Sequence, residues 1–204
     1  MRIALVGDSH SQALWPRLKA GLEAAGHTVV LSEANPGWSE AKYVSSGNLQ
    51  TKLHGARPDL VVFELGGNNQ KLTAEAYRND AAALVHAAKA TGASVLWFGP
   101  PVADAGKASS TSQRHETTAN LQSSLLPGLG VSWVDSRPFT RSGHRGDGVH
   151  FDTSGYTAWA RAMLPHVLHA KTPDVALLWG AVGGVSLLGL ALVLALKRRA
   201  TVIS

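Results

Sequence analysis

The stretch Met1-Arg2-Ile3-Ala4-Leu5-Val6-Gly7-Asp8-Ser9-His10 decides how the rest of the chain is read. Arg2–Val6 has the short, apolar character of a core strand, and Ser11–Ala25 reads as a helix. Only four residues of turn chemistry separate them. A buried strand passing almost directly into a helix is the opening of a strand–helix–strand unit, which builds parallel rather than antiparallel sheet.

The same alternation continues outward from this start. Thr28–Ser32, Asp59–Leu65, Ser94–Phe98 and Val131–Asp135 read as further strands. Helices are expected within Leu49–Ala56 and over Thr73–Thr91, Thr111–Leu125 and Ser154–His169. Gly26 and Gly92 stand where helices should end, Pro58 opens the third strand, and Ser154-Gly155 looks like a helix start. Near-continuous Val, Leu and Ile in the strands implies burial on both faces. The expectation is an α/β fold, a three-layer α/β/α sandwich around a five-stranded parallel sheet with right-handed crossovers.

The chain has 204 residues, 45% of them hydrophobic and 16% charged, enough for one domain with a substantial core. The formal charge is +5, and Lys171, Lys197, Arg198 and Arg199 against Asp174 supply three of those charges. The basic character is therefore largely a property of the tail, and no basic stripe with interleaved aromatics points to nucleic acid. With no cysteine, disulfides, thiolate zinc sites and cysteine nucleophiles are excluded.

Val175–Leu196 runs 22 residues without a charge and ends in Lys197-Arg198-Arg199. At about 1.5 Å per residue it covers roughly 33 Å, enough to cross a bilayer core. The expected organisation is a domain over 1–170, a short linker at 171–174, a transmembrane helix over 175–196 and a basic tail at 197–204. Met1–Val6 leads straight into the first strand, so a C-terminal anchor is expected, with the side occupied by the domain left open. Gly180 and Gly184 form one GxxxG spacing suited to weak helix-mediated dimerisation.

In open parallel sheets the ligand crevice lies beyond the carboxyl ends of the strands. Three segments there carry chemistry. Ser9 follows the first strand at a helix N-terminus, where it is either a helix cap or a nucleophile favoured by the helix dipole. Gly66-Gly67-Asn68-Asn69 follows the third strand; it is either an ordinary turn or a place where backbone and an Asn amide approach a ligand. Gly146-Asp147-Gly148-Val149-His150-Phe151 follows the fifth strand, and an Asp and a His three apart on one loop can pair so that the carboxylate orients the imidazole. A metal is not expected, because His144 lacks matching ligand spacing and HExxH is absent.

In order and position these segments resemble the SGNH (GDSL) hydrolase family over Met1–His169. Gly7-Asp8-Ser9-His10 is similar to its first block, Gly66-Gly67-Asn68-Asn69 to its third and Asp147-Gly148-Val149-His150 to its last. A second-block glycine is matched by Gly37 in Asn35-Pro36-Gly37-Trp38-Ser39 better than by Gly47. The resemblance implies a flavodoxin-like SGNH fold with Ser9 as nucleophile, His150 as base and Asp147 as its orienting partner. It further implies an oxyanion hole from the amides of Ser9 and Gly37 and the side chain of Asn68, and no cofactor. The implied substrate is a small acyl ester: an acetylated carbohydrate, a short-chain ester or a lysophospholipid. His10 stands where the family more often has Leu, as in a GDSH-like subset, and Asn69 stands where the third block usually has Asp.

Trp15 and Trp38 are candidates for the mouth of the crevice, where they would stack on a sugar ring, with packing the commoner role for such aromatics, and the loop after Gly99-Pro100-Pro101 is expected to form its variable wall. The competing reading is a catalytically silent, membrane-anchored domain of this fold that binds a glycan or a protein. A nucleotide- or flavin-binding domain has only the architecture in its favour, because no Walker pattern or GxGxxG follows the first strand.

Overall fold

The computed structural model describes residues 1–70 and 73–170. Strands β1 (Arg2–Gly7), β2 (Thr28–Ala34), β3 (Leu60–Glu64), β4 (Ser94–Phe98) and β5 (Ser132–Val134) form one parallel sheet in the order β2-β1-β3-β4-β5. The helices are α1 (Ser11–Ala24), α2 (Glu40–Ser46), α3 (Asn48–Ala56), α4 (Ala74–Lys89), α5 (Ser109–Leu125) and α6 (Thr153–Leu168).

Every strand and helix expected within the described residues is present, with ends displaced by one or two residues. Helix α2 was not anticipated. It has seven residues, too few to show a helical period, and Gly47 ends it in the left-handed region at φ 66°. Helix α6 is capped by Asp152, whose side chain accepts the Gly155 amide, rather than started by Ser154. The run 175–196, its linker and the basic tail lie outside the described residues. Among the described residues no helix is long and apolar enough to cross a membrane.

The pleat sends alternate strand residues into two separate cores. Ala4, Val6, Val61, Phe63, Val95 and Trp97 pack with α2, α3, α4 and α5 on one face. Ile3, Leu5, Leu60, Val62, Leu96 and Phe98 pack with α1 and α6 on the other. The right-handed crossover rule accounts for this split: the path from β1 to β2 runs one way along the sheet, and all later steps run the other way.

Beneath the carboxyl ends of the strands the core turns polar. Ser11 Oγ donates to Glu64 Oε2 at 2.8 Å, and Tyr77 OH donates to Glu40 Oε1 at 2.9 Å. Gln122 Nε2 donates to the Tyr77 hydroxyl and to the Leu65 carbonyl, while its Oε1 accepts from Trp133 Nε1. Asp8, Glu40 and Glu64 are all buried, and burial raises the pKa of each. Glu40 is pushed from its ordinary 4.5 to about 7. Nearby negative charge adds to this: Glu40 further raises Asp8, and Asp8 and Glu40 further raise Glu64, because close carboxylates resist sharing negative charge.

Two stability measurements follow from this core. Leu5 is fully buried between α1 and α6, so Leu5→Ala should cost about 2–5 kcal/mol in denaturant unfolding with an unchanged m-value. Folded Glu40 keeps a proton that the unfolded chain releases above pH 4.5, so its contribution to stability falls as pH rises from about 4.5 to about 7. The neutral Glu40→Gln chain should therefore lose less Tm than the wild type between pH 5 and pH 8, read by thermal scans at both values.

Candidate active site

The strand order reverses at β1, which places the carboxyl ends of β1 and β3 side by side at the switch point of the sheet. The loops leaving these two strands carry Ser9 and Asn68. Gly7 lets them approach: a Cβ there would collide with the Ser11 side chain and lie 2.8 Å from the Glu64 carbonyl. Asp8, fully buried, then links the two loops. Its Oδ1 accepts the His10 amide at 3.0 Å, and its Oδ2 accepts Asn68 Nδ2 at 3.0 Å. Ser9 is not the cap of α1; that position belongs to His10, and the Ser9 hydroxyl faces His150 instead.

His150 reaches Ser9 from a tight loop before α6. His144 and Phe151 form an isolated antiparallel bridge across its base, and the Arg145 amide donates to the His150 carbonyl at 2.7 Å. Inside this loop Asp147 Oδ1 accepts the amides of Val149 and His150, both at 2.9 Å. Its Oδ2 lies 2.8 Å from His150 Nδ1, and His150 Nε2 lies 3.2 Å from Ser9 Oγ. Desolvation pushes the Asp147 carboxyl up, but the hydrogen bonds from the His150 ring and the two amides outweigh it and bring the pKa down to about 2. An ionised acceptor at Nδ1 assigns the proton of the neutral imidazole to that nitrogen, leaving Nε2 free to accept from the Ser9 hydroxyl.

The loop holding Gly37 closes the third side. The Asn35 amide and the Tyr43 hydroxyl both donate to the Gly7 carbonyl, at 3.0 and 2.7 Å, which ties this loop to the end of β1. Gly37 sits at φ 74°, and a Cβ there would meet nothing within 4 Å, so glycine is required by the backbone and not by space. The neighbouring Trp38 carbonyl accepts from Asn68 Nδ2 at 3.3 Å. Both hydrogens of the Asn68 amide are thus engaged, one by Asp8 and one by Trp38. Trp38 stands edge-on to Tyr43 with ring centroids 4.9 Å apart. Of the two roles open to Trp15, the structure gives packing: it is buried between α1 and the sheet, with Nε1 bonded to the Glu33 carbonyl, because its position on α1 turns it toward the core and away from the crevice.

Three residues near this centre were not read from the sequence in the roles they take. Asp8 looked like a turn residue, yet it bridges two loops. His10 is buried, lies 3.2 Å from the Tyr156 hydroxyl through Nδ1, and rests against His150 with ring centroids 5.2 Å apart. Burial first, and the nearby His115 and His150 next, hold its pKa well below the usual imidazole range, so it is a neutral support for His150. His115 on α5 is buried with Nδ1 against the Pro101 carbonyl at 2.9 Å, and burial lowers its pKa to about 4. A polar residue directly after a strand was a possible signal for Asp8; α5 is polar along most of its length and offered none for His115. Among the described residues no group of three or more His, Asp or Glu side chains is placed to hold a metal.

The family described as "Protein of unknown function (DUF459)" matches residues 2–166. A search of curated proteins finds no match. Among solved structures, the lipase/acylhydrolase from Enterococcus faecalis superposes with TM-score 0.66 at 20% identity, covering 82% of this chain and 95% of its own. A carbohydrate acetylesterase family member from Sinorhizobium meliloti gives TM-score 0.66 at 24% identity, covering 82% and 97%. The inhibitor-bound aryl esterase of M. smegmatis gives TM-score 0.66 at 19% identity, covering 82% and 98%. With almost the whole of the described fold matched, the chain belongs to the DUF459 family and has the fold of the SGNH hydrolases.

Proposed function

We propose that this protein is a serine ester hydrolase acting on a small acyl ester through an acyl-serine intermediate. The observation that carries this reading is the continuous relay Asp147 Oδ2–His150 Nδ1 at 2.8 Å and His150 Nε2–Ser9 Oγ at 3.2 Å, built at the switch point of the sheet. Structures sharing the fold are described as a lipase/acylhydrolase, a carbohydrate acetylesterase family member and an aryl esterase, which supports the same chemistry.

In this mechanism Ser9 Oγ attacks the ester carbonyl carbon while its proton passes to His150 Nε2. Asp147 holds the resulting imidazolium by charge and by orientation. The tetrahedral intermediate collapses as the bond to the alcohol oxygen breaks, and that oxygen takes the proton from His150. Water then attacks the acyl carbon as it gives a proton to the same imidazole, and when the bond to Ser9 Oγ breaks that oxygen takes the proton back and the acid leaves. The oxyanion would be met by the amides of Ser9 and Gly37 and by Asn68 Nδ2. For Asn68 this requires the oxyanion to take the place of the Trp38 carbonyl, the longer of its two contacts, while Asp8 keeps the amide aimed. The run 175–196 would tether the domain to a membrane, within reach of envelope glycans or lipids, and its glycines would permit weak dimerisation.

Ser9→Ala should abolish hydrolysis of p-nitrophenyl acetate while leaving the Tm unchanged, and a fluorophosphonate probe should label the wild type at Ser9, located by mass spectrometry. A folded wild type that neither turns over esters nor takes the label is the silent binding domain instead. Asn68→Ala should lower kcat by about 10²–10³-fold, as loss of one oxyanion donor does elsewhere.

A further inference from the structure

Arg114 lies where α5 passes the loop that carries Asn68. Its Nε donates to the Gly67 carbonyl at 3.0 Å and its Nη2 to Thr111 Oγ1 at 3.2 Å. Gly67 is packed into the centre itself: a Cβ on it would sit 3.1 Å from His115 Nε2 and 3.3 Å from Asp8 Oδ2, the oxygen that holds Asn68. The guanidinium is therefore fixed against the peptide unit that leads into Asn68.

The charge of this group is uncommitted. Of five guanidinium hydrogens two are used, both on neutral oxygens, and among the described residues no carboxylate lies within 4.0 Å. Arg137 shows the contrast. Its guanidinium is closed by three bonds to the Asp135 carboxylate at 2.7–3.0 Å and a further one to Asn120. Lys107, also close to the His150 loop, is 3.8 Å from Asp104. Arg114 is half-buried, so its charge is partly stripped of water with no counter-charge among the described residues. A planar fork with free hydrogens, anchored on one side and open on the other, suits a bidentate oxyanion such as a carboxylate or phosphate.

We infer that Arg114 is a specificity-determining residue that binds an anionic group carried by the ester substrate, so that esters bearing a carboxylate or phosphate are preferred over neutral esters of similar size. This rests on the ester-hydrolase reading above and narrows its substrate class.

The test uses the full chain and matched pairs of esters. p-Nitrophenyl hemisuccinate against p-nitrophenyl butyrate places the anion on the acyl side, p-acetoxybenzoate against its methyl ester places it on the alcohol side, and p-acetoxyphenyl phosphate against phenyl acetate replaces carboxylate by phosphate. In at least one pair the wild type should favour the anionic ester about tenfold in kcat/KM, through KM, and added NaCl should erode that preference. Arg114→Gln should abolish the preference while neutral esters are turned over as before, and Arg114→Lys should retain part of it. Equal rates on all pairs in the wild type overturn the inference, as does an Arg114→Gln chain that loses neutral and anionic activity alike, which marks a merely structural bond to Gly67. The salt dependence of the wild type decides the matter if the variants fail to fold. If the wild type hydrolyses no ester and takes no probe at Ser9, the hydrolase reading itself has failed and the inference falls with it.

Discussion

The pairing of β1 with β3, at the point where the strand order reverses, is the constraint on which the rest of the centre depends. Two strands nearly sixty residues apart in sequence end side by side, and their loops are drawn together over a single gap. The approach is close enough that Gly7 cannot carry a side chain, and the space between the loops is filled by the carboxyl of Asp8. One oxygen of Asp8 shapes the turn that presents Ser9, and the other aims the amide of Asn68. The proposed nucleophile and the proposed oxyanion donor are thereby held by the same buried group.

Acidic residues of the same kind behave in opposite ways here, and their surroundings explain it. Asp147 is largely exposed, accepts three hydrogen bonds from its own loop and stays ionised. Asp8, Glu40 and Glu64 lie within the protein, where desolvation first, and neighbouring carboxylates next, favour the protonated form. The charge that orients His150 is therefore on the solvent side of the imidazole, while the side facing the core is made of neutral groups, His10 and His115 among them. An imidazole placed between an ionised carboxylate and a neutral core can accept a proton from serine without a competing cation beneath it.

The outer walls follow from helix placement. Helices α1 and α6 cover one face and bring Tyr156 under His10; α5 covers the other and brings His115 and Arg114 to the loop after β3. The same helix thus supplies a guanidinium with no counter-charge among the described residues on Arg114 and a buried imidazole on the next residue, His115. That juxtaposition places one cation against the loop that carries Asn68, although the folded domain as a whole carries little net charge.

The sequence alone determined the architecture, because hydrophobic runs of strand length alternating with helix-length segments permit little besides a parallel sheet covered on both faces. It also marked Ser9, Asn68, Asp147 and His150 as candidates, since turns at strand ends are short and their residues are few, and Gly37 entered only through the family resemblance. Tertiary structure decided what those turns touch: that Asp8 bridges to Asn68 as well as shaping its own turn, that Trp15 belongs to the core, that Asn68 is shared between Asp8 and Trp38, and that Arg114 has no counter-charge among the described residues. The physical reason is one of range. Period and turn chemistry act within a few residues and are written locally, whereas burial and hydrogen-bond partners depend on groups from distant segments that meet only when the sheet is assembled.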